Sequence, residues 1–241
     1  FWITYRKLIS KNCDHFLTLT NSGKRYLSDS LNIPEDKISN KCIYTPIFDH
    51  EGLKQAKHSF ISTLHEIKNP IFVCHGRLIK EKGLDKLLEA CKDLTQAKKE
   101  YSALIIGTGE EESRLMNKCK SYNINNSIFF LGYVPQEQLF SILGKCDISI
   151  APTYEDVFCM QVLESLYSGL PVICSKYAGA SELIKPGENG YVFDPHTKSE
   201  LYDIMLNFID NQSIIPRMKA NALEVKKEIN ISNSISTINE I

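Results

Sequence analysis

Short apolar runs alternate with helical patterns from residue 70 onward. The helical pattern is clearest over 84–94, where apolar side chains recur on one face, and a further amphipathic helix is predicted over Ile214–Ile229. Strands that are apolar throughout and alternate with helices indicate a parallel sheet covered on both faces. The predicted strands are Ile71–Cys74, Ala103–Ile106, Ser127–Leu131, Ile148–Ala151, Val172–Cys174 and Tyr191–Phe193. The pattern therefore predicts an α/β domain with a Rossmann-like, doubly wound parallel sheet, in which ligands bind beyond the carboxyl ends of the strands.

Residues 1–48 carry a different pattern. Phe16–Thr20 and Cys42–Thr45 are predicted as two strands, joined by a helix from about Ser22 to Leu31 and by the loop NIPEDKIS. Two strands and one helix cannot close a hydrophobic core by themselves. We therefore expect residues 1–48 to be the end of another domain, and residues 49–241 to form the ligand-binding domain.

Composition narrows the class of protein. Hydrophobic residues make up 43% and charged residues 24% of the 241 residues, which fits a soluble globular protein. The formal net charge of −1 lacks the basic excess of nucleic-acid-binding proteins. No apolar run approaches the ~20 residues that cross a bilayer, and the start FWITYRKLISKNCDHF lacks the apolar core of a signal peptide. We expect a cytoplasmic protein with no nucleic-acid partner.

The eight cysteines include no CxxC pair. Four of them, Cys74, Cys91, Cys146 and Cys174, lie in apolar strands or on helix faces, where cysteine behaves as a small hydrophobic residue. Metal ligation and disulfide pairing are the alternatives, but the spacing favours reduced thiols in a cytoplasmic protein.

Two cations follow the predicted strand Ile71–Cys74, in the loop HGRLIKEKGLDKL. Gly76 permits a close backbone turn, Arg77 lies at the carboxyl end of the strand, and Lys82 lies just before the next helix. A planar guanidinium fork and a mobile ammonium together suit a diphosphate. The alternative is a solvated basic loop that is balanced by Glu81 and Asp85.

The glycine turns after the predicted strands Ala103–Ile106 and Ser127–Leu131 are weaker indications of a ligand site. The segment IIGTGEEESRL lacks the third glycine of the GxGxxG dinucleotide fingerprint, and its three glutamates, predicted in the first helical turn, would repel a phosphate. Gly107 can still give a ligand close access to the backbone. In LGYVPQEQL the backbone around Tyr133 and Val134 could pair with the edge of a base, or the segment is an ordinary strand-to-helix turn.

The segment Tyr154–Gly179 places two carboxylates across a turn and the helix after it. Asp156 and the backbone N–H groups from Phe158 to Gln161 precede that helix and form a donor-rich site for an anion or a hydroxyl. Glu164 lies about two turns further on, on an otherwise apolar face, where a half-buried carboxylate needs a partner. Ribose hydroxyls or a basic neighbour would supply one. We expect the Phe158 side chain to pack, and we assign no catalytic role to any histidine.

Four blocks, in this order along the chain, resemble the C-terminal domain of retaining GT-B glycosyltransferases, the large family numbered four among them. The GR…KG donor-phosphate loop is matched by HGRLIKEKGLDKLLEA, the glycine turn by IIGTGEEESRL and the base-side turn by FFLGYVPQEQL. The E-x7-E block and its following glycine pair are matched by DVFCMQVLESLYSGLPVICSKYAGASELI. The segment DHFLTLTNSGKRYLSDSLNIPEDKISNKCIYTPIFD resembles the end of the N-terminal domain running into the interdomain linker. The resemblance thus implies the C-terminal half of a GT-B fold with a remnant of the N-terminal domain.

The resemblance implies a role for each matching residue. Arg77 and Lys82 would neutralise the donor diphosphate and stabilise the departing nucleoside diphosphate, and Glu164 would hold the ribose hydroxyls. Asp156, with backbone amides after it, would hold the donor sugar, so that Arg77, Lys82 and Asp156 act in catalysis. No metal ion or cofactor is implied beyond the nucleotide-sugar itself, a UDP-sugar foremost. The implied donor site comprises Gly76, Arg77, Lys82, Gly107, Val134, Asp156, Phe158, Cys159, Met160 and Glu164.

The chain departs from the family pattern at three places. Asp156 and Cys159 stand where the family usually has glutamate and glycine, and the hinge contains YTPIFD where an asparagine–glycine pair is common. Because the acceptor site of this family lies on the N-terminal domain, the resemblance implies that this domain or a partner chain completes the cleft. We expect the chain alone to bind its donor weakly and to transfer sugar poorly.

The resemblance further implies a saccharide or lipid-linked acceptor, with peripheral association at the inner face of the cell membrane. Two alternatives remain open from the sequence. One is a non-catalytic nucleotide- or sugar-binding module. The other is a nucleotide-sugar 2-epimerase on the same architecture, although the additional cleft carboxylates and histidines of those enzymes are not evident.

Overall fold

The computed structural model describes residues 12–39, 67–229 and residue 236. These residues fall into two compact units, one within 1–50 and 226–241 and the other within 51–225. The predicted strand Cys42–Thr45 and the hinge YTPIFD lie outside the described residues. The division into residues 1–48 and 49–241 therefore stays a prediction.

The smaller unit contains two short parallel strands. Strand β1 (Phe16–Leu17) pairs with β2 (Ile38–Ser39), and between them lie α1 (Asn21–Arg25) and the π-helical turn Tyr26–Ser30. The Thr20 hydroxyl accepts a hydrogen bond from the Gly23 N–H at 3.0 Å and so caps α1. The prediction that NIPEDKIS is a loop throughout was wrong at its end, because Ile38 is buried against Leu31 and Ile33 and thereby enters a strand.

The larger unit is built on six parallel strands. They are β3 (Ile71–His75), β4 (Ser102–Ile106), β5 (Ile128–Gly132), β6 (Ile148–Ala151), β7 (Val172–Ser175) and β8 (Gly190–Phe193). All six predicted strands are confirmed, with each boundary within one residue of its prediction. Every residue of β3, β4, β6 and β7 is buried, as expected for strands that are covered on both faces.

Helices pack on both faces of this sheet. Two hydrophobic clusters share β3: Phe72 belongs to the cluster under Leu88 and Met205, whereas its neighbour Val73 belongs to the cluster under Leu143. The helix predicted over Ile214–Ile229 is interrupted at Glu224. The helices of this unit are α2 (Leu84–Gln96), α3 (Glu112–Tyr122), α4 (Gln136–Leu143), α5 (Met160–Tyr167), α6 (Glu200–Asp210) and α7 (Ile215–Leu223). A last helix, α8 (Val225–Glu228), begins at the final residue of this unit.

The strand order creates a crevice at one point of the sheet. The order is β5-β4-β3-β6-β7-β8, so the chain winds outward from β3 to β5 and then returns to the other side of β3 at β6. Where the winding direction reverses, the loops after the two central strands diverge to opposite faces and leave a crevice beyond their carboxyl ends. The loops that follow β3 and β6 border this crevice, and they carry most of the predicted site residues.

Candidate functional site

Hydrogen bonds connect the loop after β3 with the loop after β6. The Glu81 carbonyl accepts hydrogen bonds from the Thr153 hydroxyl at 2.7 Å and from the Tyr154 N–H at 2.8 Å. Gly83 has a φ of +63°, and a Cβ at this position would lie 2.1 Å from the Pro152 carbonyl oxygen. Only glycine permits this close approach, so the sequence fixes the spacing of the two loops.

Lys82 and Asp156 form an ion pair across this junction. Lys82 Nζ lies 2.5 Å from Asp156 Oδ2, and each side chain is 20% exposed. The other carboxylate oxygen, Oδ1, accepts hydrogen bonds from the N–H groups of Phe158 at 3.1 Å and Cys159 at 2.7 Å. Burial by itself raises the pKa of Asp156, but the Lys82 ammonium and the two amides outweigh burial, so that this pKa lies below its usual value.

The hydrogen bonds of Asp156 change the expected role of the amides. The resemblance implies that the N–H groups of Phe158, Cys159 and Met160 hold a sugar together with Asp156. In the structure two of the three hold the Asp156 carboxylate, and only the Met160 N–H is not engaged by it. The Phe158 side chain is 7% exposed, as expected for a packing residue. The arrangement therefore presents an oriented, ionised carboxylate rather than three free amide donors.

Cys159 occupies the left-handed region at the start of α5, with a φ of +72°. A non-glycine residue there costs on the order of 1–2 kcal/mol. Its N–H donates to Asp156 and its carbonyl accepts from the Val162 N–H at 3.0 Å, which holds this conformation in place. Burial raises the pKa of the Cys159 thiol to about 12, so the thiol stays protonated and is not a nucleophile at neutral pH.

Burial is general among the cysteines. The seven cysteines in the described part of the chain carry free thiols, and six of them are buried. The burial of Cys74, Cys91, Cys146 and Cys174 confirms the prediction that they behave as small hydrophobic residues. Within residues 12–39 and 67–229, no three His, Cys, Asp or Glu side chains come together as a metal site. None of the helices described is long and apolar enough to cross a membrane.

Arg77 lies in the loop after β3, on the side that faces solvent. Its side chain is exposed, and a Cβ on the preceding Gly76, which has a φ of +135°, would meet no heavy atom within 4 Å. Among the described residues, the Arg77 guanidinium makes no ion pair. Asp85, which the alternative hypothesis made a counter-ion of this loop, accepts from the Tyr154 hydroxyl at 2.8 Å instead. Arg77 is thus an uncompensated positive charge at the crevice.

The basic neighbour of Glu164 is a histidine that lies far from it in the sequence. Glu164 Oε2 lies 2.9 Å from Nε2 of His75, the last residue of β3, and the two side chains are 18% and 4% exposed. The partner of Glu164 is therefore 89 residues away in the chain. A histidine that ends an otherwise apolar strand was the available signal. The pairing itself depends on the β3–β6 junction, which periodicity alone does not give.

The glycine turn after β4 has a structural reason of its own. Gly107 has a φ of +128°, and a Cβ there would lie 1.9 Å from the Gly76 carbonyl oxygen. The expectation that Glu110, Glu111 and Glu112 fill the first turn of a helix was wrong for the first two. The Glu111 N–H donates to the Leu78 carbonyl at 2.9 Å, which turns the chain so that α3 begins only at Glu112.

Val134 lies beyond the carboxyl end of β5. Its half-buried side chain packs against the apolar cluster under α4. Among the described residues, its backbone N–H and C=O make no hydrogen bond, so both are available to a polar ligand. The ten predicted site residues all lie at or near the carboxyl edge of the sheet. Contacts join Lys82, Asp156, Phe158 and Cys159 into one cluster, and they join Glu164 to the strand that leads into Gly76 and Arg77.

We expect the Lys82–Asp156 pair to make the free energy of unfolding depend on pH in the acidic range. Because the folded-state pKa of Asp156 is depressed, its stabilising contribution is complete above the unfolded value of about 3.9 and is lost as the pH falls through the folded value. We expect wild type to be more stable than Asp156→Asn at pH 6, and this difference to shrink below about pH 4. Urea unfolding across pH measures it, with the exposed Asp93→Asn as control. A difference that stays constant down to pH 2.5 would show that the carboxylate charge does not stabilise the fold.

Comparison with known proteins assigns this arrangement to a class. Residues 56–225 match the family described as glycosyl transferases group 1. The chain belongs to this family. The uncharacterized glycosyltransferase MJ1069 of Methanocaldococcus jannaschii is 29% identical over 246 residues, which cover 99% of this chain and 60% of the relative. The chain thus spans less than two thirds of the length of that relative.

Solved structures agree on the fold. HepE of Anabaena, crystallised with UDP, superposes with a TM-score of 0.78 at 19% identity, covering 97% of this chain and 64% of that one. The pneumococcal O-GlcNAc transferase GtfA, crystallised with UDP and GlcNAc, gives a TM-score of 0.77 at 18% identity, covering 98% of this chain and 46% of that one. The predicted parallel α/β architecture of GT-B glycosyltransferases is confirmed.

Proposed function

We propose that the unit within residues 51–225 binds the nucleoside diphosphate of a nucleotide-sugar, and that the whole protein transfers the sugar with retention of configuration as a member of family 4. The observation that carries this proposal is the charge arrangement at the crevice where the strand order reverses. Arg77, with which no described carboxylate pairs, the Lys82–Asp156 pair and the Glu164 carboxylate lie on the loops and helix that border it.

The two cations would bind the diphosphate. Arg77 supplies a planar donor fork whose charge no described carboxylate compensates, and Lys82 supplies a point charge that it shares with Asp156. When the bond between the sugar and the phosphate oxygen breaks, negative charge grows on the departing diphosphate. Oriented cations at that point stabilise the transition state more than the ground state, and they require no metal ion to do so.

The carboxylates would bind hydroxyl groups. Oε2 of Glu164 is hydrogen-bonded to His75, whereas Oε1 makes no hydrogen bond to any described residue. Oε1 is therefore available to a ribose hydroxyl. Asp156 is ionised and held by its two amides, so it would accept from a hydroxyl of the donor sugar, with the Met160 N–H nearby. The backbone N–H and C=O of Val134, which bond no other described residue, would pair with the base. We propose UDP as the nucleotide, with support from the UDP bound to HepE and GtfA.

The rest of the cleft would come from a second domain. The chain spans 60% of MJ1069, and we propose that an N-terminal domain, in a longer protein or in a partner chain, supplies the acceptor site. We propose a saccharide or lipid-linked acceptor, in polysaccharide or glycolipid synthesis at the cytoplasmic face of the cell membrane. The amylovoran biosynthesis glycosyltransferase AmsK of Erwinia amylovora is a relative at 27% identity, which supports the polysaccharide setting.

A ribose-deletion experiment tests the assignment of Glu164. We expect wild type to bind UDP roughly 10- to 100-fold more tightly than 2′,3′-dideoxy-UDP, since a hydrogen bond to a charged group contributes about 1.5–3 kcal/mol. In Glu164→Ala this preference should disappear. Glu188→Ala, an exposed glutamate before β8 at the opposite edge of the sheet, should keep it. Calorimetric titration gives all six affinities. If Glu164→Ala retains the full preference, Glu164 does not hold the ribose.

A further inference from the structure

His75 is a buried polar side chain at the carboxyl end of β3. It ends β3, the strand beside which the winding direction reverses, and it is 5% exposed. Nε2 lies 2.9 Å from Glu164 Oε2. Nδ1 is buried, and among the described residues it has no hydrogen-bond partner. A histidine in such a place must be explained, because a buried polar atom without a partner costs free energy.

The hydrogen-bond partners assign the proton of this ring. A proton on Nδ1 would be buried without an acceptor, whereas a proton on Nε2 is donated to a carboxylate. The ring is therefore a donor toward Glu164 at Nε2. The His75 ring is held in place by its burial. The helix that carries Glu164 is held against β6 by two side-chain hydrogen bonds. Gln161 Nε2 donates to the Ile150 carbonyl at 2.6 Å, and Ser165 Oγ lies 2.7 Å from Ser149 Oγ.

We propose that His75 is a positioning residue: its Nε2–H holds one oxygen of Glu164 so that the other is aimed at the ribose hydroxyls of the bound nucleotide. This inference rests on the proposed function, because Glu164 must bind the ribose for its orientation to matter. His75 itself acts only through Glu164 and does not contact the nucleotide. A free glutamate side chain samples several rotamers, and fixing one of them before binding removes an entropy cost from association.

The test uses two polar replacements that differ in reach. In His75→Gln the amide nitrogen can occupy about the place of Nε2 and donate to Glu164, whereas in His75→Asn the amide reaches only the place of Nδ1. We expect His75→Gln to bind UDP within about threefold of wild type and His75→Asn to bind it about tenfold more weakly. His75→Asn should also lose most of the preference for UDP over 2′,3′-dideoxy-UDP.

A double-mutant cycle separates positioning from a general structural role. In the Glu164→Ala background, His75→Asn and His75→Gln should bind UDP equally, since there is no carboxylate left to position. The inference is overturned if the two variants bind UDP equally in the presence of Glu164. It is also overturned if their difference persists without Glu164. If wild type shows no binding of UDP, GDP or ADP, the proposed function fails and the inference fails with it. If binding depends on Glu164 but not on His75, only the inference fails.

Discussion

Arg77→Ala is expected to weaken the binding of a nucleoside diphosphate by about 2–3 kcal/mol, or roughly 30- to 140-fold. The guanidinium would make charge-assisted hydrogen bonds to the diphosphate, and the structure shows no described carboxylate that competes for it. Because the side chain is exposed, its removal should leave the free energy of unfolding unchanged within about 0.5 kcal/mol. Calorimetry and urea unfolding measure the two quantities on the same preparation. Arg77→Lys should lie between wild type and Arg77→Ala, since it keeps the charge but loses the fork.

The matched control for this variant is Arg217→Ala. Arg217 is also an exposed arginine of the larger unit. Among the described residues it approaches only the Gly187 carbonyl, at 3.4 Å, on the loop that precedes β8. That loop lies at the amino edge of the sheet, away from the crevice. Arg217→Ala should bind nucleotide as wild type does. Equal losses in the two variants would mean that binding follows overall charge rather than a site at Arg77.

Gly107→Ala is expected to destabilise the larger unit by roughly 3 kcal/mol or more. The added Cβ would lie 1.9 Å from the Gly76 carbonyl oxygen, and both groups are backbone, so that neither can move aside as a side chain would. A φ of +128° is in addition a conformation that alanine rarely adopts. For a chain of this length the loss corresponds to a fall in Tm of roughly 6–12 °C, which thermal unfolding measures.

A second variant, Gly132→Ala, separates the cost of the steric clash from the cost of the positive φ. Gly132 also has a positive φ, +65°, but a Cβ there would meet nothing within 4 Å. Gly132→Ala should therefore cost only on the order of 1–2 kcal/mol, the usual cost of the left-handed region. If the two variants lose the same stability, the close approach of the β3 and β4 turns does not constrain the fold.

The sheet could be predicted because its signals are local. Each central strand is a short apolar run between helical patterns, so that strand existence, type and boundaries follow from neighbouring residues. The strand β2 escaped prediction because Ile38 follows a proline and three charged residues, and its burial depends on Leu31 and Ile33. That burial is a tertiary contact, which the pattern around Ile38 does not contain.

The sequence places the candidate site residues at one edge of the sheet, but it does not give their pairings. Strand-to-helix loops at the carboxyl edge of a parallel sheet are where ligands bind, and this rule pointed to Arg77, Lys82 and Asp156. The partners of the charged groups depend on contacts between residues 74 and 89 positions apart, Lys82 with Asp156 and His75 with Glu164. Such contacts follow from how β3 and β6 are placed side by side, so only the structure shows that Asp156 takes up two of the three amides assigned to the sugar.

A direct measurement of nucleotide binding shows whether the crevice between β3 and β6 is a nucleoside-diphosphate site. The wild-type chain is titrated calorimetrically with UDP, GDP and ADP, with an excess of inorganic pyrophosphate as competitor. We expect at least one nucleotide to bind with a stoichiometry of one, UDP most tightly, and pyrophosphate to weaken this binding by competing for Arg77 and Lys82. If none of the three nucleotides binds at millimolar concentration to the folded chain, the crevice is not a nucleoside-diphosphate site.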